Sequence, residues 1–310
     1  MNTQTAYYRL MLGSGGSHAD LCRAEGFIGV DFGIAQDLSP LLTDNNRQFN
    51  QALIPLYLKE RPHKSKIAAG LAGSTIWKVC RGIKQGDILL CPNGQGQYLM
   101  AEVLSDYYYQ PEQVLPHRRQ VKWLNTLVER NDMSQELKNS SGSINTLTDL
   151  TGYASEIEQF LQSSDSNDPL LNAEDPIAFA LEKHLEDFLV RNWPQTSLGQ
   201  HYDIYEEDGE SGQQFMTDTG PMDILAMSKD KTELLVVELK RGRASDAVVG
   251  QIQRYMGYVQ AELCEPHQKV RGVIIALEND LRIQRALSVA PNIDFYRYQI
   301  HFELIASKES

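Results

Sequence analysis

The stretch TGPMDILAMSKDKTELLVVELKRGRASDAVVGQIQRYMGYV, residues 219–259, decides the fold of the C-terminal half. Two apolar runs, PMDILAM (221–227) and ELLVVELK (233–240), flank the turn-like SKDKT, and this predicts a β-hairpin. A turn centred near residues 230–231 sets Asp223 about opposite Glu238, where cross-strand Cβ atoms lie roughly 5 Å apart. Lys240 follows Glu238 by two residues, so both project from one face. The hairpin gathers two carboxylates and an ammonium on one side. Glu238 sits inside the apolar run LLVVEL, and burying a carboxylate there is expensive without a cation or a partner.

Working outward, Asp175 and Pro176 form an N-cap and N1 pair that opens a helix through IAFALEKHLEDFLVRNW. Its apolar stripe reads Ile177, Leu181, Leu185, Phe188 and Leu189. At about 100° per residue, Glu182 falls roughly 90° from the stripe's centre and Glu186 about 130°. Glu182 is therefore expected at the edge of the buried face and Glu186 further out. On the other side of the hairpin, Gln251 and Tyr255 are i and i+4 on a helix and share a face. RGVIIALE (271–278) and IDFYRYQIHFELI (293–305) complete a mixed sheet with flanking helices.

This set of side chains suits metal-assisted phosphodiester hydrolysis. Carboxylates are hard oxygen ligands for Mg²⁺, a bound cation polarises the phosphoryl oxygen and acidifies a water, and a lysine can orient or deprotonate that water. The competing reading is a charged strand end with a surface salt bridge. The motifs themselves carry a resemblance. The helix glutamate in ExxLxxFL (Glu182), GPxDIL (Asp223), VVELKR (Glu238, Lys240) and GQxxRYM (Gln251, Arg254, Tyr255) resemble the PD-(D/E)xK nuclease superfamily. They are most similar to the catalytic domain of the NucS/EndoMS mismatch endonucleases. The resemblance spans about 120 residues, from the Glu182 helix to the strands after Arg271. It implies that Glu182, Asp223 and Glu238 bind Mg²⁺ or Mn²⁺, that Lys240 is catalytic, and that Gln251 supports the site. Arg241, Arg243 and Arg254 are the local phosphate-binding candidates.

Residues 1–130 read differently, as short strands between turns. GFIGVDFGI (26–34), GDILLCPN (86–93), QYLMAEVLSDYYY (97–109) and RRQVKWL (118–124) read as strands, with helices over Asn45–Leu58 and KIAAGLAGSTIWKVC. The stretch IWKVCRGIKQGDILLCPNGQGQYLMAEVLSDYYY, with Lys84, Gly86, Asp87, Val103 and Tyr107, resembles the EVE/PUA-like β-barrel family. That likeness implies a base pocket walled by Trp77, Tyr107 and Trp123, with Asp31 on an exocyclic amine; alternating strand aromatics more often pack as core, and Asp31 also reads as a cap of its own turn. His117, Arg118, Arg119 and Lys122 form a basic cluster that could contact phosphates, as do Arg61, His63, Lys64 and Lys66. This region does not resemble the N-terminal DNA-binding domain of the mismatch enzymes.

Charge divides the chain of 310 residues. The net charge is −12, made of +3 over residues 1–130, −8 over 131–175 and −7 over 176–310. The middle stretch is rich in Ser, Asn and Asp and reads as an acidic linker with one short helix near Tyr153–Leu161. The expected organisation is a β-rich reader domain over 1–130, a linker over 131–170 and an α/β nuclease domain over 171–310. Cys22, Cys80, Cys91 and Cys264 form no CxxC pair and read as buried free thiols of a cytoplasmic protein. No apolar run reaches the roughly 20 residues that span a bilayer, and the first residues lack the pattern of a secretory signal. The expected partner is double-stranded DNA, with or without modified bases, and cutting both strands calls for a homodimer. The function that follows is a metal-dependent DNA endonuclease in modification-dependent restriction or phage defence. A mismatch or branched-DNA repair nuclease and a non-catalytic DNA-binding protein are the alternatives.

Overall fold

The computed structural model describes residues 5–162 and 185–299. The N-terminal sheet contains β1 (Tyr7–Leu10), β2 (Phe27–Val30), β3 (Ile88–Pro92), β4 (Gln97–Val103), β5 (Tyr108–Tyr109), β6 (His117–Glu129) and β7 (Leu147–Asp149). Its order is β2-β6-β4-β3-β1-β7, with β5 also paired to β6. Alternation along β3 assigns the two faces. Leu89 and Cys91 pack with α1 (Ala19–Glu25), α2 (Asn46–Glu60) and α3 (Lys66–Trp77). Ile88 and Leu90 pack on the opposite side with Met133, Leu137, Leu150, Tyr153 and Ile157.

That second face corrects the expected linker. Residues 131–162 form α4 (Gln135–Ser141), β7 and α5 (Ala154–Gln162). Tyr8, Arg9 and Leu10 pair with Asp149, Thr148 and Leu147. Polar composition points the wrong way here, because five well-spaced apolar residues suffice to close one face of a sheet. The rest of the expected linker, 163–170, lies outside the described residues, as do residues 171–184, with the Asp175–Pro176 helix start, and the end of the last expected strand, 300–305.

The C-terminal sheet contains β8 (Tyr202–Ile204), β11 (Gln213–Thr217), β12 (Gly220–Ser228), β13 (Glu233–Arg243), β14 (Lys269–Glu278) and β15 (Ile293–Arg297), and a two-stranded ribbon of β9 (Glu206–Glu207) and β10 (Glu210–Ser211) precedes β11. The order is β11-β12-β13-β14-β15, with β8 paired to the far half of β12. The first three strands are antiparallel, and β13, β14 and β15 run parallel. One face is covered by α7 (Ala247–Tyr258) and α8 (Leu281–Leu287) through Val248, Ile252, Tyr255 and Ile283. The other is covered by Leu185, Leu189 and Val190 of the helix over 185–192, here α6, with Trp193 and Leu198. The result is the mixed α/β architecture expected for this half.

Helix α3 belongs to both halves. Ala69, Ala72 and Ile76 enter the N-terminal core, while Ile67 and Leu71 enter the α7-side core of the second sheet. Its small residues permit the approach: a Cβ on Gly70 would come within 2.8 Å of Leu263 Cδ2. Ion pairs edge the seam, with Arg47 on Glu262 at 2.8 Å, Lys64 on Asp208 at 2.7 Å and Lys66 on Glu265 at 3.6 Å. Lys64 and Lys66 of the cluster that begins at Arg61 are thereby engaged.

A second seam is polar and buried. Arg9, fully buried on β1, donates to the carbonyls of Ser141, Ser143, Asn145 and Thr146. The loop so held reaches the second domain. Thr146 N–H donates to Glu210 Oε1 at 2.9 Å, and Asn145 both accepts from Ser211 N–H at 2.6 Å and donates to the Gln213 carbonyl at 3.1 Å. Burial pushes the Glu210 carboxyl up to about 7, against the pull of Thr146 and Arg9. An acid with a raised native pKa contributes stability that is complete below its unfolded value of 4.5 and lost as pH climbs through 7. Glu210→Gln keeps an acceptor oxygen and removes the titration. Urea unfolding is expected to show the variant gaining about 3 kcal/mol on wild type between pH 4.5 and pH 8; parallel pH profiles would refute this.

Candidate active site

The hairpin register is set by Ile224↔Val237 and Met227↔Leu234. One step beyond Ile224, Asp223 comes level with Glu238, as the turn position predicts. There the ladder changes character: Asp223 Oδ2 accepts the Leu239 N–H at 2.7 Å. Glu238 is 1% exposed, and Lys240 Nζ lies 2.6 Å from its Oε1. A register shift follows between Lys240 and Arg243 in the pairing of β13 with β14. Such bulges re-aim side chains at the ends of strands.

From the α7 side, Gln251 Nε2 donates to Tyr255 Oη at 3.3 Å. The Tyr255 hydroxyl is buried within the field of Glu238 and Asp223 and its pKa is raised, chiefly by burial. Gly220, with φ of +123°, opens β12 beside it: a Cβ there would stand 3.5 Å from Tyr255 Oη.

From the other side comes Glu186, a residue the helical wheel turns outward. It is buried at 3% exposure, and it accepts from Gln213 Nε2 at 2.6 Å and from Gln214 Nε2. Phe188, assigned to the apolar stripe, is 62% exposed. The real packing face holds Leu185, Leu189 and Val190, and Glu186 is one helical turn from Val190. A stripe that includes Phe188 and omits Val190 turns Glu186 outward. Ile177, Leu181 and Glu182 lie outside the described residues.

Electrostatics follow from this crowding. The Asp223 carboxyl is pushed well above its ordinary range, first by burial, then by the charges of Glu238 and Glu186; the Leu239 N–H and Lys240 pull the other way. Asp223 and Glu238 are oxygen donors from adjacent strands, the donor chemistry of a hard divalent cation. Among the described residues, no three His, Cys, Asp or Glu side chains converge on one metal-sized point. A groove of about 670 Å³ lies elsewhere, at the turn end of the hairpin, against Lys229, Glu233 and Arg271. None of Asp223, Glu238 and Lys240 lines it.

The basic candidates separate into two groups. Arg241 and Arg243 are exposed on β13 beyond Lys240, and Arg254 is exposed on α7; Arg243 lies 3.1 Å from Glu278, and Arg254 donates to the Gly250 carbonyl. Lys122 is exposed on β6. Arg118 and Arg119 are not available to phosphate. Arg118 donates to the Leu115 and Val114 carbonyls and stacks 3.6 Å from the Phe27 ring. Arg119, 2% exposed, donates to the carbonyls of Ser105, Val79 and Ile83. Both satisfy backbone acceptors in loops and at the end of the α3 helical segment.

The four residues nominated for a base pocket are likewise engaged. Trp77 Nε1 donates to the Thr43 carbonyl and Trp123 Nε1 to the Cys22 carbonyl, both rings packing on the N-terminal core. Tyr107 Oη accepts the Leu38 N–H and meets His117 Nδ1 at 3.1 Å. Asp31 caps its own turn by accepting from Gly33 N–H. Their alternative role as core and turn residues is the one the contacts describe.

Residues 182–299 match the family described as Endonuclease NucS C-terminal domain. Residues 8–151 match a family described as a domain of unknown function, DUF8426. The C-terminal region thus resembles the NucS/EndoMS catalytic domain over the residues that carry its motifs. Among solved structures, the chain is similar to one described as an EndoMS–dsDNA complex (14% identity, TM-score 0.33, 66% of this chain and 62% of that one). It is also similar to a repair endonuclease from Pyrococcus abyssi (15%, 0.31, 67% and 66%) and to EndoMS in apo form (14%, 0.28, 67% and 74%). The chain spans less than two thirds of the length of the first two. No curated protein sequence matches the chain.

The two kinds of basic residue predict opposite stability outcomes. Arg119→Met leaves buried carbonyls without donors and is expected to cost about 2–4 kcal/mol in denaturant unfolding. Lys122→Ala should stay within about 0.5 kcal/mol of wild type. Equal effects would show that the Arg119 guanidinium is not a structural donor.

Proposed function

We propose that this chain is a DNA endonuclease of the repair type, hydrolysing phosphodiester bonds at the corner formed by Asp223, Glu238 and Lys240. The observation that carries the reading is the placement of a buried Glu238 level with Asp223 on the neighbouring strand, with the Lys240 ammonium 2.6 Å away. The family match over residues 182–299 supports it.

A divalent cation, Mg²⁺ or Mn²⁺, fits the donor set. Asp223 and Glu238 stand level on adjacent strands with Glu186 close by, and a hard cation would relieve the mutual repulsion that, with burial, raises the Asp223 carboxyl. Asp223 and Glu238 would hold it, with Glu182 as the third ligand that the motif resemblance implies. Such an ion supplies Lewis-acid polarisation of the phosphoryl oxygen and a more acidic bound water. The chain's own residues do the rest. Lys240 places a positive charge beside the scissile phosphate, where negative charge develops. Gln251, through Tyr255, fixes the α7 wall of the site. Arg241, Arg243 and Arg254 hold flanking phosphates, and these local cations matter because the chain as a whole carries −12.

The restriction reading asks for a pocket that recognises a modified base. Trp77, Tyr107, Trp123 and Asp31 are engaged in packing and turn contacts, so the repair reading, which needs no such pocket, is favoured. Cutting both strands would take two copies of the site, and the proposal extends to a homodimer on DNA.

The test is a panel of plain, mismatched, branched and base-modified duplexes incubated with Mg²⁺. The expected result is cleavage of a distorted duplex, abolished by EDTA. Asp223→Asn and Glu238→Gln should each lower the rate by at least about 10³-fold while DNA binding is retained. Undiminished cleavage by Asp223→Asn would remove the site from consideration, and preference for a modified base would restore the restriction reading.

A further inference from the structure

Gln214 occupies a backbone conformation that its residue type rarely adopts. It lies within β11 at φ of +53°, in the left-handed region that favours glycine. For a non-glycine residue this costs on the order of a kcal/mol, and such strain is retained where the side chain has a task. The register Gln213↔Ile224 and Phe215↔Met222 brackets Gln214 level with Asp223. Its single amide nitrogen serves two carboxylates, donating to Asp223 Oδ1 at 3.2 Å and to Glu186 Oε2. One neutral donor thereby separates two acids that otherwise face each other, and it fixes the Oδ1 side of Asp223 while Leu239 N–H fixes the Oδ2 side.

The strand that carries Gln214 is braced from the N-terminal domain. Asn145 grips the chain leading into it at Ser211 N–H of β10 and the strand itself at the Gln213 carbonyl. Between those points Gly212 is pressed against β12, where a Cβ would stand 2.1 Å from the Leu225 carbonyl oxygen. Gln213 adds a bond to Glu186 at 2.6 Å. Residues 210–214 therefore form a short strut from the Arg9-held loop to the nuclease corner.

We propose that Gln214 is a positioning residue of the nuclease site, holding Asp223 and Glu186 in one geometry, and that Asn145 of the N-terminal domain keeps it in place. The inference rests on the nuclease reading above and extends it to two residues outside the motif set. It also makes the N-terminal domain part of the active-site support.

The decisive variant is Gln214→Gly, made in the full chain. Glycine suits the backbone and deletes the side-chain amide. The expected result is a melting temperature equal to or above wild type, together with a fall in kcat of about tenfold and KM within about threefold. Mn²⁺ affinity, read from the free-ion EPR signal without DNA, should weaken by a similar factor. Asn145→Ala should reproduce the kcat and Mn²⁺ losses in part, with some loss of melting temperature. A merely structural Gln214 predicts otherwise: activity and stability falling together, or neither changing, overturns the proposal. So does an Asn145→Ala variant with wild-type Mn²⁺ affinity and kcat, for the bracing part. A wild-type chain that neither binds Mn²⁺ nor cuts any duplex refutes the nuclease reading and this inference with it. Wild type active and Gln214→Gly indistinguishable from it refutes this inference alone.

Discussion

Carboxylates repel one another most where water cannot reach them, and the second domain concentrates that repulsion at one sheet corner. Glu238 is buried, Asp223 stands level with it on the next strand, and Glu186 approaches from α6. In water such charges at close range would interact by about 1 kcal/mol, and by several times more near or inside a protein. Every unusual feature nearby answers this load. Lys240 closes on Glu238, Leu239 gives its N–H to Asp223 rather than to the ladder, and Gln214 accepts a strained backbone to place one amide between two acids. A fold selected for stability alone would fill the corner with apolar side chains. Its persistence as a cluster of acids is the physical argument for a cation-binding task.

The N-terminal domain shows the same rule with the sign reversed. Arg9, Arg118 and Arg119 are buried cations, and each directs most of its donors to backbone carbonyls. Burial lowers the pKa values of Arg9 and Arg119, yet a guanidinium stays charged at any physiological pH. Its planar fork can reach several carbonyls at once, which suits it to tying a loop such as 141–146 to a strand. A basic cluster in sequence therefore has two physical destinations, and only packing tells them apart. Lys122 shares its parity on β6 with the exposed Gln120, opposite to Arg119 and Val121, and it lacks the cover that Phe27 and the Leu115 carbonyl give to Arg118 on that same parity.

Much of the second domain is legible in its amino acids because local rules and global packing agree there. The apolar runs 221–227 and 233–240 and the turn at SKDKT specify the hairpin, and with it the level placement of Asp223 and Glu238. The i, i+4 relation of Gln251 and Tyr255 likewise survives as a hydrogen bond. What is not legible depends on contacts distant in sequence. Glu186 reads as solvent-facing until Gln213 and Gln214 are known to meet it. Gln214 carries no pattern that announces a left-handed residue inside a strand. The segment 131–162 looks like a linker by composition, and only its pairing with β1 and its packing beneath β3 reveal an integral part of the first domain.

The two domains meet through chemistry that neither contains alone. The α3 seam is apolar and small-residue-lined, so it fixes distance. The Arg9–Asn145–Glu210 seam is polar and buried, so it fixes direction, because hydrogen bonds between desolvated groups tolerate little misalignment. A sheet edge is ordinarily the most deformable part of an α/β domain, and β11 is such an edge. Bracing it from outside removes that freedom at the edge strand beside Asp223. The acidic corner therefore gains rigidity from a domain that contributes no carboxylate to it, and that division explains why the signature motifs, all within 182–259, omit the residues that hold them in register.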